Sequence, residues 1–214
     1  MPRIIALVAG ASGSGKSRLA RLAGWPVLRL DNFYRDGTSP DMPRGEDGNI
    51  DWDDIRAWDA VAATAALVAL SEGGRADVPV YSISDNAAMG HQSVDAVDAA
   101  AIVAEGIFAT AMLDPCRAVG VPTLAIWLDR GRWITWWRRL VRDVREHRKP
   151  LNVLWRRGHA LRRAEPALRK QAIDAGFTPM TMRLAQQELR LGGSRVSRVA
   201  PISASNTAEP CGPS

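Results

Sequence analysis

The residues with the clearest chemical potential lie near the N-terminus. Gly10-Ala11-Ser12-Gly13-Ser14-Gly15-Lys16-Ser17 fits the pattern G-x-x-x-x-G-K-[ST]. Gly10, Gly13 and Gly15 free the backbone so that its N–H groups, with those of Ser12 and Ser14, converge on phosphates at a helix N-terminus. Lys16 then reaches the β and γ phosphates of a nucleoside triphosphate, and the Ser17 hydroxyl is placed to hold Mg²⁺. Two acids complete a phosphoryl-transfer set. Asp31 closes a short apolar segment, where a carboxylate could accept the proton of an attacking hydroxyl or merely cap a turn. Glu105 closes another and precedes Gly106; it suits a carboxylate that meets Mg²⁺ through water, or a solvated acid at a strand end.

These residues need elements to position them. Ile4–Ala9 is a continuous aliphatic run, the pattern of a strand buried on both faces of a parallel sheet. A short helix from Lys16 to Leu22 stops before Gly24 and Pro26, and Val27–Leu30 reads as a second strand. Residues 34–49 carry no apolar periodicity and read as a long exposed loop. Asp53 or Asp54 is expected to cap a long helix with Ile55, Trp58, Val61, Ala65 and Val68 on its inner face, closed by Gly73-Gly74. Val78–Ile83 and residues near 91–95 suggest a hairpin. Ala100–Ala104 and Pro122–Leu128 are further buried strands, and helices are expected over about 132–148, 152–175 and 181–191. Strands alternating with helices predict an α/β fold with a parallel sheet.

Composition narrows the classes. The 214 residues are 46% hydrophobic and 24% charged, which fits one globular domain and excludes a wholly disordered chain or a small disulfide scaffold. Six apolar residues at the N-terminus are too few for a membrane span or signal sequence. Cys116 and Cys211 have no metal or redox spacing, so a reduced, cytoplasmic protein is expected. His91, His147 and His159 also lack metal-ligand spacing. No N-K-x-D motif reads a guanine base, and no G-x-S-x-G elbow offers a nucleophilic serine.

Charge is unevenly distributed. Residues 130–170 hold 14 basic residues against three acids, a local +11, which leaves 14 basic and 20 acidic residues, or −6, elsewhere. Trp133, Trp136, Trp137, Leu140, Val141 and Val144 recur at helical spacing, with Arg138, Arg139, Arg142 and Arg145 largely on other faces. One reading is an amphipathic helix whose basic face closes over a nucleotide; the other is a nucleic-acid surface.

In sum these motifs resemble the uridine kinase-like P-loop kinases. Gly10–Ser17 is similar to the family's G-x-S-G-S-G-K-[ST], and Leu30–Asp36 to its L-D-x-F-Y-[KR]-D. Asn49–Asp53 with Trp58-Asp59 is similar to N-[FY]-D-H-P-D-A-F-D with two inserted residues. Pro79-Val80-Tyr81 matches P-V-Y, Glu105-Gly106-Ile107 matches E-G-[IL], and Arg138–Asp143 matches the lid pattern R-R-x-x-R-D. The resemblance implies a five-stranded parallel sheet with helices on both faces, a substrate hairpin and a helical lid. It implies transfer of the γ-phosphoryl of Mg-ATP to a hydroxyl, most naturally the 5′-hydroxyl of a nucleoside. Asp31 would be the general base, with Lys16 and Arg142 acting on the migrating group and Arg138 and Arg139 on ATP. Ser17 and Glu105 would serve the metal. Tyr34, Trp52, Asp53, Tyr81 and Asn86 would face the substrate. Asn86 and Ala88 stand where the family carries the His and Arg of P-V-Y-D-F-x-x-H-S-R.

The expectation is one P-loop kinase domain over residues 1–191, with a lid at about 130–149 and a disordered tail from 192 to 214. Homo-oligomers are common in the family. Kinases for another small alcohol, such as pantothenate or a sugar phosphate, and an ATP-gated nucleic-acid-binding protein are the alternatives.

Overall fold

The computed structural model describes residues 2–11, 13–82, 85–130 and 165–190. Five strands form a parallel sheet: β1 (Ile4–Ala9), β2 (Val27–Arg29), β5 (Ala101–Glu105), β6 (Thr123–Leu128) and β7 (Thr178–Met180), in the order β2-β5-β1-β6-β7. The central strands are the most apolar, and every residue of β5 is buried, because helices cover both faces. Ile5 and Leu7 of β1 point to the side covered by α2 (Ala60–Gly73) and α3 (Leu113–Ala118), where they meet Leu67, Leu70, Met112 and Leu113. Ala6 and Val8 point to the other side. There they meet Leu19 of α1 (Lys16–Ala23) and Leu189 of α5 (Met182–Arg190), whereas a further helical stretch, α4, over residues 165–174, places Ala172 in the core of the first side. This alternation is the period of two that a strand imposes on its side chains.

A separate antiparallel hairpin, β3 (Arg75–Ser82) and β4 (Ala87–Asp95), stands beside the sheet with a register shift between Pro79 and Tyr81. Arg3 fixes its base. The guanidinium donates to the carbonyls of Ala96 (2.8 Å), Val97 (2.8 Å) and Glu72 (3.1 Å), joining the hairpin to the end of α2.

Three expectations need correction. The long helix does not begin at Asp53 or Asp54. The Asp54 carboxylate instead caps a single 3₁₀ turn, Ile55–Ala57, and Trp58 is extended in a bridge to Tyr34. Its indole N–H donates to the Leu30 carbonyl at 2.7 Å, so Trp58 is held by the core and the helix restarts under the Asp59 cap. The buried face is consequently Ala63, Ala66, Leu67 and Leu70, whereas Val61 is 81% exposed. The segment 34–49 is not wholly exposed, since Met42 and Pro43 are buried and Arg44 bridges Ile50. Finally, β2 stops at Arg29, and Leu30–Phe33 forms a 3₁₀ turn. That turn carries Asp31 off the end of the sheet.

Candidate active site at the ends of the parallel strands

The chain leaves β1 at Gly10 and enters α1 at Lys16. Gly15, at the N-cap, has φ 101°, a left-handed conformation that a side chain would strain, and no side chain caps the helix. The amides of its first turn therefore stay available to an anion. Lys16 is 8% exposed, and its Nζ donates to the carbonyls of Gly10 (2.8 Å) and Ala11 (3.4 Å), folded along its own loop. The Ser14 carbonyl accepts from Arg130 Nη1 at 3.3 Å, while the buried Ser14 hydroxyl has no partner among the described residues.

One acid reaches this loop from the neighbouring strand, and a second lies close enough to the first to feel its charge. Glu105, at the end of β5, accepts a 2.9 Å hydrogen bond from Ser17 Oγ. Burial pushes the Glu105 carboxyl above its usual range; the Lys16 charge and the Ser17 hydroxyl oppose that shift, and the Asp31 charge adds to it. Asp31 lies in the 3₁₀ turn that follows β2, the strand next to β5, and its Oδ1 accepts from the Ile107 amide at 3.3 Å. Gly106 makes this approach feasible. A Cβ there would lie 2.8 Å from Asp31 Oδ1 and 2.8 Å from Leu30 Cβ.

An aromatic cluster adjoins the acids. Tyr34 packs edge-on against Trp52 at 5.5 Å and Phe108 at 5.9 Å, and tilted against Tyr81 at 5.6 Å, with Trp52 and Tyr81 6.2 Å apart. The Tyr34 hydroxyl donates to the Trp52 carbonyl at 3.0 Å, pinning that loop. The Tyr81 hydroxyl is buried with no hydrogen-bond partner among the described residues, and burial, with the Asp36 charge behind it, pushes it up to about 12. Asn86 sits on the hairpin turn with φ 51°, its carbonyl accepting from the Gly37 amide at 2.8 Å. Asp53 is exposed beside Trp52 and donates its amide to Asp51 Oδ1 at 3.0 Å.

The nine described side chains expected at the site thus fall into two adjoining groups. Lys16, Ser17, Asp31 and Glu105 surround the loop, and Tyr34, Trp52 and Tyr81 pack together, with Asp53 and Asn86 at the rim. Ser12, Arg138, Arg139 and Arg142 lie outside the described residues. Phe108 and Trp58 join the aromatic floor, their rings 5.3 Å apart; the hydrophobic residue following Glu105-Gly106-Ile107 was the available signal for the first. Arg130 carried no sequence signal beyond its place in the basic segment. Among the described residues no cluster of three or more His, Cys, Asp or Glu could hold a metal. Any cation would rest on Ser17 and Glu105 together with a ligand's own oxygens. Their hard oxygen donors, one carboxylate and one hydroxyl at hydrogen-bonding distance, fit Mg²⁺.

The order of these motifs along one parallel sheet has a counterpart in known proteins. Residues 4–152 match the model of the Phosphoribulokinase / Uridine kinase family. The chain belongs to that family. It is similar to the uridine kinase of Saccharomyces cerevisiae (strain ATCC 204508 / S288c), 32% identical over 144 residues that cover 64% of this chain and 28% of the yeast protein. It is also similar to the uridine kinase of Schizosaccharomyces pombe (strain 972 / ATCC 24843), 29% identical over 144 residues, 64% of this chain and 31% of the other. The chain therefore spans less than a third of the length of both relatives. A crystal structure of a candidate fructose transport system kinase from Silicibacter sp. TM1040 shares the fold, with a TM-score of 0.55, 18% identity, and coverage of 84% of this chain and 88% of that one. The family match runs past β6 into the residues of the expected lid, which lie outside the described residues. Among the described residues, no helix of this family member is long and apolar enough to cross a membrane.

Proposed function

We propose that this chain is a phosphotransferase that moves the γ-phosphoryl group of ATP, with Mg²⁺, to a hydroxyl of a nucleoside-like substrate. The observation that carries the reading is the hydrogen bond that Glu105 accepts from Ser17 on the phosphate loop, with Asp31 within charge range of Glu105 and the Tyr34–Trp52–Tyr81 cluster alongside. Family membership supports the same chemistry.

When bound, Mg²⁺ neutralises charge on the phosphate oxygens. The chain's own residues do the rest. The loop amides and Lys16 hold the phosphates, with Lys16 exchanging its carbonyl contacts at Gly10 and Ala11 for phosphate oxygens. Asp31 orients the acceptor hydroxyl and takes its proton on a carboxylate oxygen, while the Ile107 amide fixes the carboxylate's direction. The aromatic rings offer flat apolar faces to a base and exclude water from the hydroxyl. Arg138, Arg139 and Arg142 are proposed to meet the phosphates from the lid, with planar forks that match phosphate oxygens. Tyr34, Trp52, Asp53, Tyr81 and Asn86 are proposed as the acceptor's contacts.

A second acceptor class is favoured by one feature: Asn86 and Ala88 stand on the hairpin where the related motif carries His and Arg. A non-nucleoside alcohol would fit a pocket without that pair. The test is ADP release from Mg-ATP across ribonucleosides, pantothenate and sugar phosphates, with Lys16→Ala as control. Acceptor-dependent release abolished by Lys16→Ala supports phosphoryl transfer and names the acceptor. Equal release with every compound and with none contradicts it.

A further inference from the structure

We propose that Arg130 is a positioning residue for the triphosphate, acting through the backbone of the phosphate loop; this rests on the nucleotide-binding reading above. Arg130 follows the end of β6, the strand paired with β1 on the side away from β5. Its guanidinium crosses to the loop and donates from Nη1 to the Ser14 carbonyl at 3.3 Å, a contact between residues 116 positions apart. The half-buried Arg130 is itself anchored from behind. The preceding Asp129 donates its amide to the Met180 carbonyl at 2.8 Å and accepts from Arg169 Nε at 2.9 Å, so β7 and α4 hold the end of β6 in place.

The consequence follows from peptide geometry. The Ser14 carbonyl and the Gly15 amide belong to one planar unit, in which C=O and N–H point in opposite directions. Gly15, at φ 101°, has no side chain to resist rotation of that unit. A hydrogen bond from Arg130 to the carbonyl selects the orientation that directs the Gly15 N–H to the opposite side, away from Arg130. Lys16 provides a parallel constraint on the Gly10 and Ala11 carbonyls, but it must leave them to reach a phosphate. Arg130 lies outside the loop, after β6, and its hydrogen bond to the Ser14 carbonyl keeps the peptide oriented during that exchange.

The test compares Arg130→Ala, Arg130→Lys and Lys16→Ala for equilibrium binding of ATP, ADP and adenosine, with thermal unfolding measured in parallel. Arg130→Ala is expected to weaken ATP and ADP by about tenfold, as for loss of one hydrogen bond to a charged group. Adenosine binding, acceptor KM and Tm should change little. Arg130→Lys keeps a donor and should recover part of the affinity. Unchanged ATP affinity in Arg130→Ala, with Lys16→Ala still defective, overturns the role of Arg130 alone. A fall in Tm that accounts for the whole affinity loss, with no recovery in Arg130→Lys, also overturns it. If Lys16→Ala binds ATP as well as the unaltered chain does, the nucleotide-binding reading itself fails.

Discussion

The carboxylate of Asp31 and the backbone amide of Ile107 meet at 3.3 Å, although 76 residues separate them. That contact joins the turn after β2 to the turn after β5, and Gly106 lies between the two with no room for a side chain. The proposed base is thus aimed by a neighbouring strand rather than by its own loop.

Replacing Gly106 should consequently damage chemistry as well as stability. In Gly106→Ala the new methyl group would lie 2.8 Å from Asp31 Oδ1 and 2.8 Å from the Cβ of buried Leu30, so both the carboxylate and the turn that carries it must move. Misplacement of a reacting group by about 1 Å costs on the order of 10²-fold in rate. We expect kcat to fall by about that factor while ATP affinity is retained. Steady-state kinetics with separate ATP and acceptor titrations check this.

Glu105 illustrates a conflict between stability and function. Its native pKa is raised above the ordinary value of 4.5, chiefly by burial. Its stabilising contribution is therefore present in full below pH 4.5 and is lost as pH rises through the elevated native value. With EDTA present, Glu105→Gln should melt above the unaltered protein at neutral pH, since the buried charge is removed. The difference should shrink towards pH 4.5. The same variant should lose most Mg²⁺-dependent turnover. Melting curves across pH, beside a Mg²⁺ titration of activity, test both halves.

Tyr81 makes a comparable prediction in the aromatic cluster. An unpaired buried hydroxyl costs about 1–3 kcal/mol, so Tyr81→Phe should raise Tm. If that hydroxyl serves the acceptor, KM for the acceptor should rise at the same time while KM for ATP holds. Differential scanning fluorimetry with the two KM values decides it.

Much of this arrangement was legible in the residues. The phosphate loop is a local pattern, and β1, β5 and β6 are apolar runs long enough to declare themselves. The family model and the five-stranded parallel sheet agree with the fold read from those motifs. What escaped depends on distant partners. Thr178–Met180 is a strand of three residues, recognisable only because β6 offers it an edge. Trp58 has helical spacing relative to Val61, but the Leu30 carbonyl draws its indole into the core and ends that register. Arg130 is one arginine among many in a basic segment until the fold brings Ser14 beside it. The mutual packing of Tyr34, Trp52 and Tyr81 likewise comes from three separate loops and strands, which no local periodicity encodes.

The most direct test follows labelled γ-phosphate from Mg-ATP into the acceptor under single-turnover conditions, comparing the unaltered chain with Asp31→Asn. A carboxamide keeps the size of Asp31 but cannot take the proton, and general-base catalysis contributes about 10²–10⁴-fold. The account predicts that Asp31→Asn binds ATP normally and that transfer of label slows by at least about 10²-fold. Transfer at the unaltered rate in Asp31→Asn would contradict it.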